Sequence, residues 1–281
     1  MMEENPMRAT NLLDIRAVSK TYIVDDEPVE VLRNIHFTVA EEEFVTVIGE
    51  SGCGKSTLLR LIVGLDIGYC GDILLDGTRI TAPGRDRGIV FQDHRLLPWL
   101  SVEQNVALGL DVSDESPAAV KQAVAANLDL VKLADFGRAY PHQLSGGMAQ
   151  RAAIARALVS KPQILLLDEP LGALDSQTRA YLQDELLRIH QRGKVTMVMV
   201  THDIEEAVYL SDKIVVMEPR PGRVRGIVPV ELPHPRNRAS ADFIAVKERV
   251  LASLVNGPPL CFDAAPKSRP VVPDARARRF G

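Results

Sequence analysis

The chain has no apolar run long enough to span a membrane. Its longest runs, such as residues 164–167 and 197–200, fall far short of the roughly 18 residues that a span needs. Cysteine is scarce: Cys53, Cys70 and Cys261 are odd in number and lack metal-ligand spacing. That excludes a fully paired disulfide framework and a zinc cage of thiolates, and it points to free thiols in a reducing compartment. No basic excess exists either, with 33 Lys and Arg against 37 Asp and Glu and a net charge of -4. The electrostatic footprint of a nucleic-acid binder is therefore missing. The first ten residues, MMEENPMRAT, are acidic and polar and do not read as a secretory signal. There is no internal repeat. What is present is a globular composition, 46% hydrophobic and 25% charged over 281 residues, enough for one large domain or two small ones. The expectation is a cytosolic protein, or one held at a membrane only through a partner.

Along the chain, residues 11–48 alternate in short β-like runs, with Asp25-Asp26-Glu27-Pro28 as a turn between two of them. A glycine-rich loop follows, then a helical run over residues 56–63 ended by Gly64. Residues 72–76 read as a strand entering a turn at Gly77, and residues 89–91 as another strand. Residues 100–143 read as helical through Val102, Val106, Leu108, Val120, Val124, Leu128 and Val131, with Pro117 between the helical stretches. Then strand (164–167), helix (176–190), strand (195–200) and a short helix capped by Asp203 alternate, which indicates a parallel sheet with crossover helices. From Gly257 onward the Pro/Arg/Ala-rich chain has no periodicity and reads as a disordered tail.

Two local patterns carry chemistry. In GESGCGKST, Gly49, Gly54, Lys55 and Ser56 fit G-x-x-x-x-G-K-[ST] between a strand and a helix. Glycines there let backbone N–H groups turn inward around a phosphate chain, Lys55 reaches the phosphates, and Ser56 offers a hydroxyl to Mg²⁺. In ILLLDEP, a buried strand delivers Asp168 as a second Mg²⁺ ligand, with Glu169 as a candidate to polarise the attacking water. A third stretch, LSGGMAQR (144–151), has no acid or base but places Ser145-Gly146-Gly147 ahead of a long helical pattern. A bare helix N-terminus of that kind suits an anion.

Together these stretches resemble the ATP-binding subunits of ABC transporters, from about residue 12 to 220 and with the motifs in the family's order. Gly49, Glu50, Ser51, Gly52, Cys53, Gly54, Lys55, Ser56 and Thr57 resemble the Walker A loop, and Gln92 the Q-loop. Ser145, Gly146 and Gly147 lie in what resembles the signature motif. Residues 164–169 resemble Walker B, Leu174-Asp175 the D-loop, His202 the switch histidine, and Tyr22 the aromatic that stacks on adenine. Met148 departs from the family, where many members carry glutamine; its position bears on helix packing more than on ATP. Cys53 occupies a variable position and could make the loop thiol-sensitive.

The resemblance implies an α/β P-loop NTPase: an ABC cassette with a RecA-like core, an N-terminal antiparallel β portion and a helical insert. It implies an ATP-binding domain over 12–235 with a helical subdomain at about 95–150, a C-terminal helical extension at 236–256 and the tail at 257–281. Catalysis falls to Glu169, His202 and Gln92. ATP contacts fall to Tyr22, the loop 49–57, Ser145, Gly146, Gly147 and Asp175. Mg²⁺ falls to Ser56, Gln92 and Asp168. The family further implies a head-to-tail homodimer with two ATPs between the chains, two membrane-spanning permease subunits docked on the helical insert, and a periplasmic solute-binding protein acting indirectly. The location implied is the cytoplasmic face of the inner membrane, held peripherally. Residues 92–110, 217–224 and 232–236 are similar to importers of nitrate, taurine and aliphatic sulfonates, most of all the sulfonate branch. A soluble ABC-type ATPase acting on nucleic acid or ribosomes is the alternative of another class. The single cassette and acidic charge weigh against it.

Overall fold

A computed structural model describes residues 11–110, 116–172 and 174–255. The short β-like runs at the start merge into two 14-residue strands, β1 (Asn11–Val24) and β2 (Glu27–Ala40), paired antiparallel. Their turn is tighter than the sequence suggests. Asp25 and Asp26 both take positive φ, 51° and 64°, the conformation that matches a two-residue turn to the twist of its strands. Pro28 lies inside β2 opposite Ile23, near the strand's start, where a missing N–H is tolerated. β4 (Cys70–Leu75) joins β1 and β5 (Thr78–Arg79) joins β4, giving a four-stranded sheet in the order β2-β1-β4-β5.

The second sheet contains β3 (Phe44–Gly49), β6 (Arg87–Val90), β7 (Ile164–Asp168), β8 (Thr196–Thr201), β9 (Lys213–Glu218) and β10 (Arg223–Pro229), in the order β10-β9-β3-β8-β7-β6. All neighbours are parallel except β10, which runs antiparallel to β9 at the edge. The crossovers are α1 (Lys55–Val63), α5 (Ser176–Gly193) and α6 (Ile204–Leu210). Between β6 and β7 the chain makes the insert: α2 (Val102–Ala107), α3 (Pro117–Leu130) and α4 (Gly146–Leu158). The helical reading of 100–143 is thereby corrected. Ser101 starts α2 with a capping box to Gln104, and Ser116 caps α3 with Pro117 at its first turn. Residues beyond α3 form short 3₁₀ turns at Ala134–Phe136 and Pro141–Gln143. Leu108 is not on a buried stripe; it is 52% exposed at the end of α2.

The apolar runs of the central strands follow from burial on both faces. Val45 and Val47 of β3, Ile164 and Leu166 of β7, and Val198 and Val200 of β8 join one core with α1 and the antiparallel sheet. Their alternates Phe44, Ile48, Leu165, Leu167, Met197 and Met199 join a second core with α4, α5 and α7 (Ala241–Val255). Strands β9 and β10, which the sequence analysis does not identify as strands, complete the sheet. Residues 257–281, read as a disordered tail, lie outside the described residues. Among the described residues no helix is long and apolar enough to cross a membrane.

The LPHPR stretch resolves into a helix cap. Arg236 is 5% exposed and donates to Val208 O, Ser211 O and Val230 O at 2.7, 2.6 and 3.3 Å, closing the C-terminal end of α6. Val208 and the C-cap Ser211 supply carbonyls at the helix end, where neither has an intrahelical partner, and Val230 supplies one from just past β10. Replacing the guanidinium with an apolar chain strands them in the interior. Arg236→Met is expected to cost about 2–4 kcal/mol of stability, read as a lower urea midpoint at unchanged slope.

Candidate functional site

β3 runs into the loop 49–54, and α1 begins at once with Gly54 as its N-cap at φ 91°. Only glycine takes that conformation without strain. The helix has no side-chain cap and no acidic residue in its first turn. Its first intrahelical bond is Leu58 N–H to Gly54 O at 2.9 Å. The N–H groups of Lys55, Ser56 and Thr57 precede that bond, so the positive end of the helix meets a hollow of about 280 Å³ lined by Ser51, Gly52, Gly54, Lys55, Ser56 and Glu169. Lys55 is buried, and its ammonium donates to Gly49 O (2.7 Å) and Glu50 O (3.0 Å) across the loop. The Cys53 side chain turns into the core, with its Sγ 3.9 Å from the Lys55 ammonium. That side chain is fully buried and its thiol is pushed up by burial. The expectation of a thiol-sensitive loop is corrected on that ground: an inaccessible, protonated thiol is unreactive. Only the Cys53 backbone remains for a ligand.

β7 is the neighbour of β8, which in turn neighbours β3, and its C-terminal end brings Asp168 to the loop. Ser56 Oγ donates to Asp168 Oδ1 at 2.9 Å. Burial pushes the Asp168 carboxyl above its ordinary value, against the pull of the Ser56 hydrogen bond. Hydroxyl and carboxylate oxygens side by side are the hard donors that Mg²⁺ takes, and a buried carboxylate gains from a cation. Among the described residues no group of three or more His, Cys, Asp or Glu could hold a metal ion by itself.

Glu169 has φ 45°, a left-handed backbone costing about 1 kcal/mol or more. Its N–H bonds Val200 O at 3.0 Å, and its Oε2 lies 3.2 Å from Nδ1 of His202 at the end of β8. Glu169, Asp168, Lys55, Ser56 and His202 therefore come to one edge of the sheet. Gln92 is exposed beyond β6, and both it and Glu169 face the Gly172 turn: a Cβ there would stand 3.5 Å from Gln92 Nε2 and 3.8 Å from Glu169 Oε2. Tyr22 lies half-buried, hydrogen-bonded through its hydroxyl to Asp66, with Lys20 Nζ 4.6 Å from the ring centroid.

Ser145 and Asp175 do not join this group within the chain. Ser145 caps α4, accepting from Met148 N–H at 3.3 Å, and no acidic residue sits in that helix's first turn. It lines a separate hollow of about 300 Å³ with Gly147, Met148, Arg151, Thr178 and Tyr181. Met148 is partly buried against the core beneath α4. Asp175 caps α5 through Gln177 N–H (3.1 Å) and Thr178 N–H (3.0 Å), and the Thr178 contacts hold its carboxyl below the usual range. Sequence reading missed Gln150, which ties α4 to Phe91 O beside Gln92 at 3.3 Å. It also missed Asp66, the anchor of Tyr22; a lone polar residue carries no signal of its distant partner.

The profile of the ABC transporter family matches residues 32–172. The chain is 48% identical over 245 residues to the aliphatic sulfonates import ATP-binding protein of Bacillus cereus, spanning 87% of this chain and 96% of that one. The chain belongs to the ABC transporter family. A second relative of this cassette, the aliphatic sulfonates import ATP-binding protein of Bacillus subtilis, is 49% identical over 233 residues, 83% of this chain and 90% of the other. Among solved structures, the cassette resembles the dimeric post-hydrolysis state of the ATP-binding cassette MJ0796 bound to ADP and Pi. The TM-score is 0.69 at 33% identity, over 79% of this chain and all of that one. cbiO1 from Clostridium perfringens is similar at TM-score 0.68 and 28% identity, over 76% and 86% of the two chains. The P-loop NTPase fold is thus established, and the cassette is an ATPase.

The raised Asp168 carboxyl has a thermodynamic consequence. The folded chain holds that proton more tightly than the unfolded chain does. Its contribution is present below the ordinary aspartate range of about 4 and is lost as pH rises through the raised value. Asp168→Asn, which keeps an acceptor for Ser56, is expected to melt at a higher temperature than the parent at neutral pH without nucleotide or divalent cation. The gap should close as pH falls towards 4, as thermal melts across pH would show.

Proposed function

We propose that this chain is the ATP-hydrolysing subunit of an importer of aliphatic sulfonates. The observation that carries the reading is identity of 48–49% to two aliphatic sulfonates import ATP-binding proteins, matched over 90% or more of their lengths. Two permease subunits would carry the substrate through the membrane, a periplasmic binding protein would deliver it, and this chain would sit peripherally on the cytoplasmic face. No sulfonate pocket is then needed here. The helical insert is the proposed contact with the permeases.

In this reading the N–H groups at the start of α1 and the Lys55 ammonium bind the phosphates, Lys55 exchanging the carbonyls of Gly49 and Glu50 for phosphate oxygens. Tyr22 stacks on adenine. Ser56, Asp168 and Gln92 hold Mg²⁺, which when bound neutralises phosphate charge. Glu169 orients the attacking water and accepts its proton, and His202, 3.2 Å away, holds that carboxylate in place. The N-terminal ends of α1 and α4 open on different hollows of one chain. Two copies arranged head-to-tail would close each ATP between one chain's loop 49–57 and the other's Ser145, Gly146 and Gly147, with Asp175 alongside. The γ-phosphate is the charge that both helix ends share, so its loss lets the dimer open.

Glu169→Gln is expected to lower steady-state ATP turnover by about 10²–10⁴-fold while nucleotide binding persists. The variant should accumulate as a dimer with ATP on size-exclusion chromatography, and wild-type turnover would remove Glu169 from catalysis. Cells lacking the chain should fail to grow on alkanesulfonates as sole sulfur source yet grow on sulfate. A defect confined to taurine or to nitrate would reassign the substrate and leave the ATPase reading intact.

A further inference from the structure

Residues 217–224, similar to the sulfonate branch in sequence, span the end of β9, the turn 219–222 and the start of β10, against the phosphate loop. Gly222 stitches this turn onto β2. Its N–H donates to Val31 O at 2.8 Å, and its carbonyl accepts from Arg33 N–H at 2.9 Å. The other side of Gly222 rests on the backbone of Cys53. A Cβ at Gly222 would stand 2.1 Å from Cys53 O and 3.0 Å from Val31 O. Its φ is not in the left-handed region, so glycine is needed here for close approach and not for conformation.

Cys53 cannot retreat from that contact. Its side chain is fully buried, and a Cβ at Gly49 would lie only 2.7 Å from its Sγ. Leu32 closes the loop from a third side: a Cβ at Gly54 would meet its Cδ2 at 2.5 Å. Val31, whose carbonyl holds Gly222, also lines the hollow in front of Lys55. The loop is thus wedged between β2, the end of β9 and the Gly222 turn, with no slack at any of these contacts.

We propose that Gly222 is a positioning residue for nucleotide binding: it seats the β9–β10 turn against the Cys53 peptide and so fixes the curvature of the loop 49–54. This rests on the reading of that loop as the phosphate site. A methyl group at residue 222 meets only backbone, so the Cys53 peptide and the Gly222 turn have to part by about 1 Å, and the loop loses the seat that aims its inward N–H groups.

The test is ADP affinity, by equilibrium titration of the full chain, for Gly222→Ala, Lys55→Ala and Gly137→Ala. Gly137 is a spatial control, because a Cβ there has its nearest neighbours at 3.4 Å. Gly222→Ala is expected to raise Kd about tenfold and Gly137→Ala to leave it unchanged. A merely structural role would reduce the fraction of active protein and leave the Kd of the folded fraction as it was. That result, with Lys55→Ala weakened, overturns the positioning role and spares the phosphate-loop reading. Parent-like affinity in Lys55→Ala overturns both. Should Gly222→Ala fail to fold, hydrogen exchange on the parent chain decides. Saturating ADP should slow exchange of the Arg33 and Gly222 amides, and unchanged rates there overturn the proposal.

Discussion

Parallel pairing of β3, β8 and β7 is the constraint on which the rest of the site depends. Because these strands are sheet neighbours in one direction, their C-terminal ends lie along one edge. The loop carrying Lys55, the Asp168-Glu169 pair and His202 arrive there from positions far apart in the chain. Open parallel sheets present ligands at just this edge. The pairing is held by burial, since each strand is covered on both faces. The Ser56–Asp168 hydrogen bond is a local expression of that register: a slip of one residue in β7 would turn Asp168 to the opposite face of the sheet.

Much of this was legible from the chain alone, where the signal was local. The glycines and Lys55-Ser56 sit in nine consecutive residues, and the acids follow directly on a strand. His202 sits between an apolar run and a capped helix. Less legible was whatever depends on a distant partner. Arg236 looks like any arginine, and its five-carbonyl environment exists only after α6 and β10 fold around it. Asp175 offers a carboxylate at a plausible site, yet its immediate role is to cap α5. The break between α3 and α4 was hidden because Val131 and Leu133, just past α3, are buried like residues of a helix stripe, although the 3₁₀ turns that follow bury none of their own residues. The hairpin turn was displaced because Pro28 looked like a turn residue, whereas the two aspartates carry the left-handed conformation.

The two helix ends that open on α1 and α4 share one electrostatic character. Neither has an acidic residue in its first turn, although acids are favoured there in ordinary helices. α6 shows the contrast, with Glu205 and Glu206 in its first turn and Asp203 as its cap. α6 is neutralised from within the chain, whereas α1 and α4 have no first-turn acid to do so. Ser145 differs from Gly54 in capping its helix partially, through Met148 N–H, which leaves the N–H groups of Gly146 and Gly147 ahead of the first intrahelical bond.

The alternation of the central strands between two cores has a genetic consequence. Leu165 and Leu166 are adjacent, equally buried and chemically identical, yet they pack in different compartments. Second-site suppressors of a truncation at Leu165 would be drawn from the helical layer that carries α4 and α5. Those of the same truncation at Leu166 would come from α1 and the antiparallel sheet. Compensation is thus expected to stay within one compartment, and sequence parity along each strand, more than distance, says which compartment a residue belongs to.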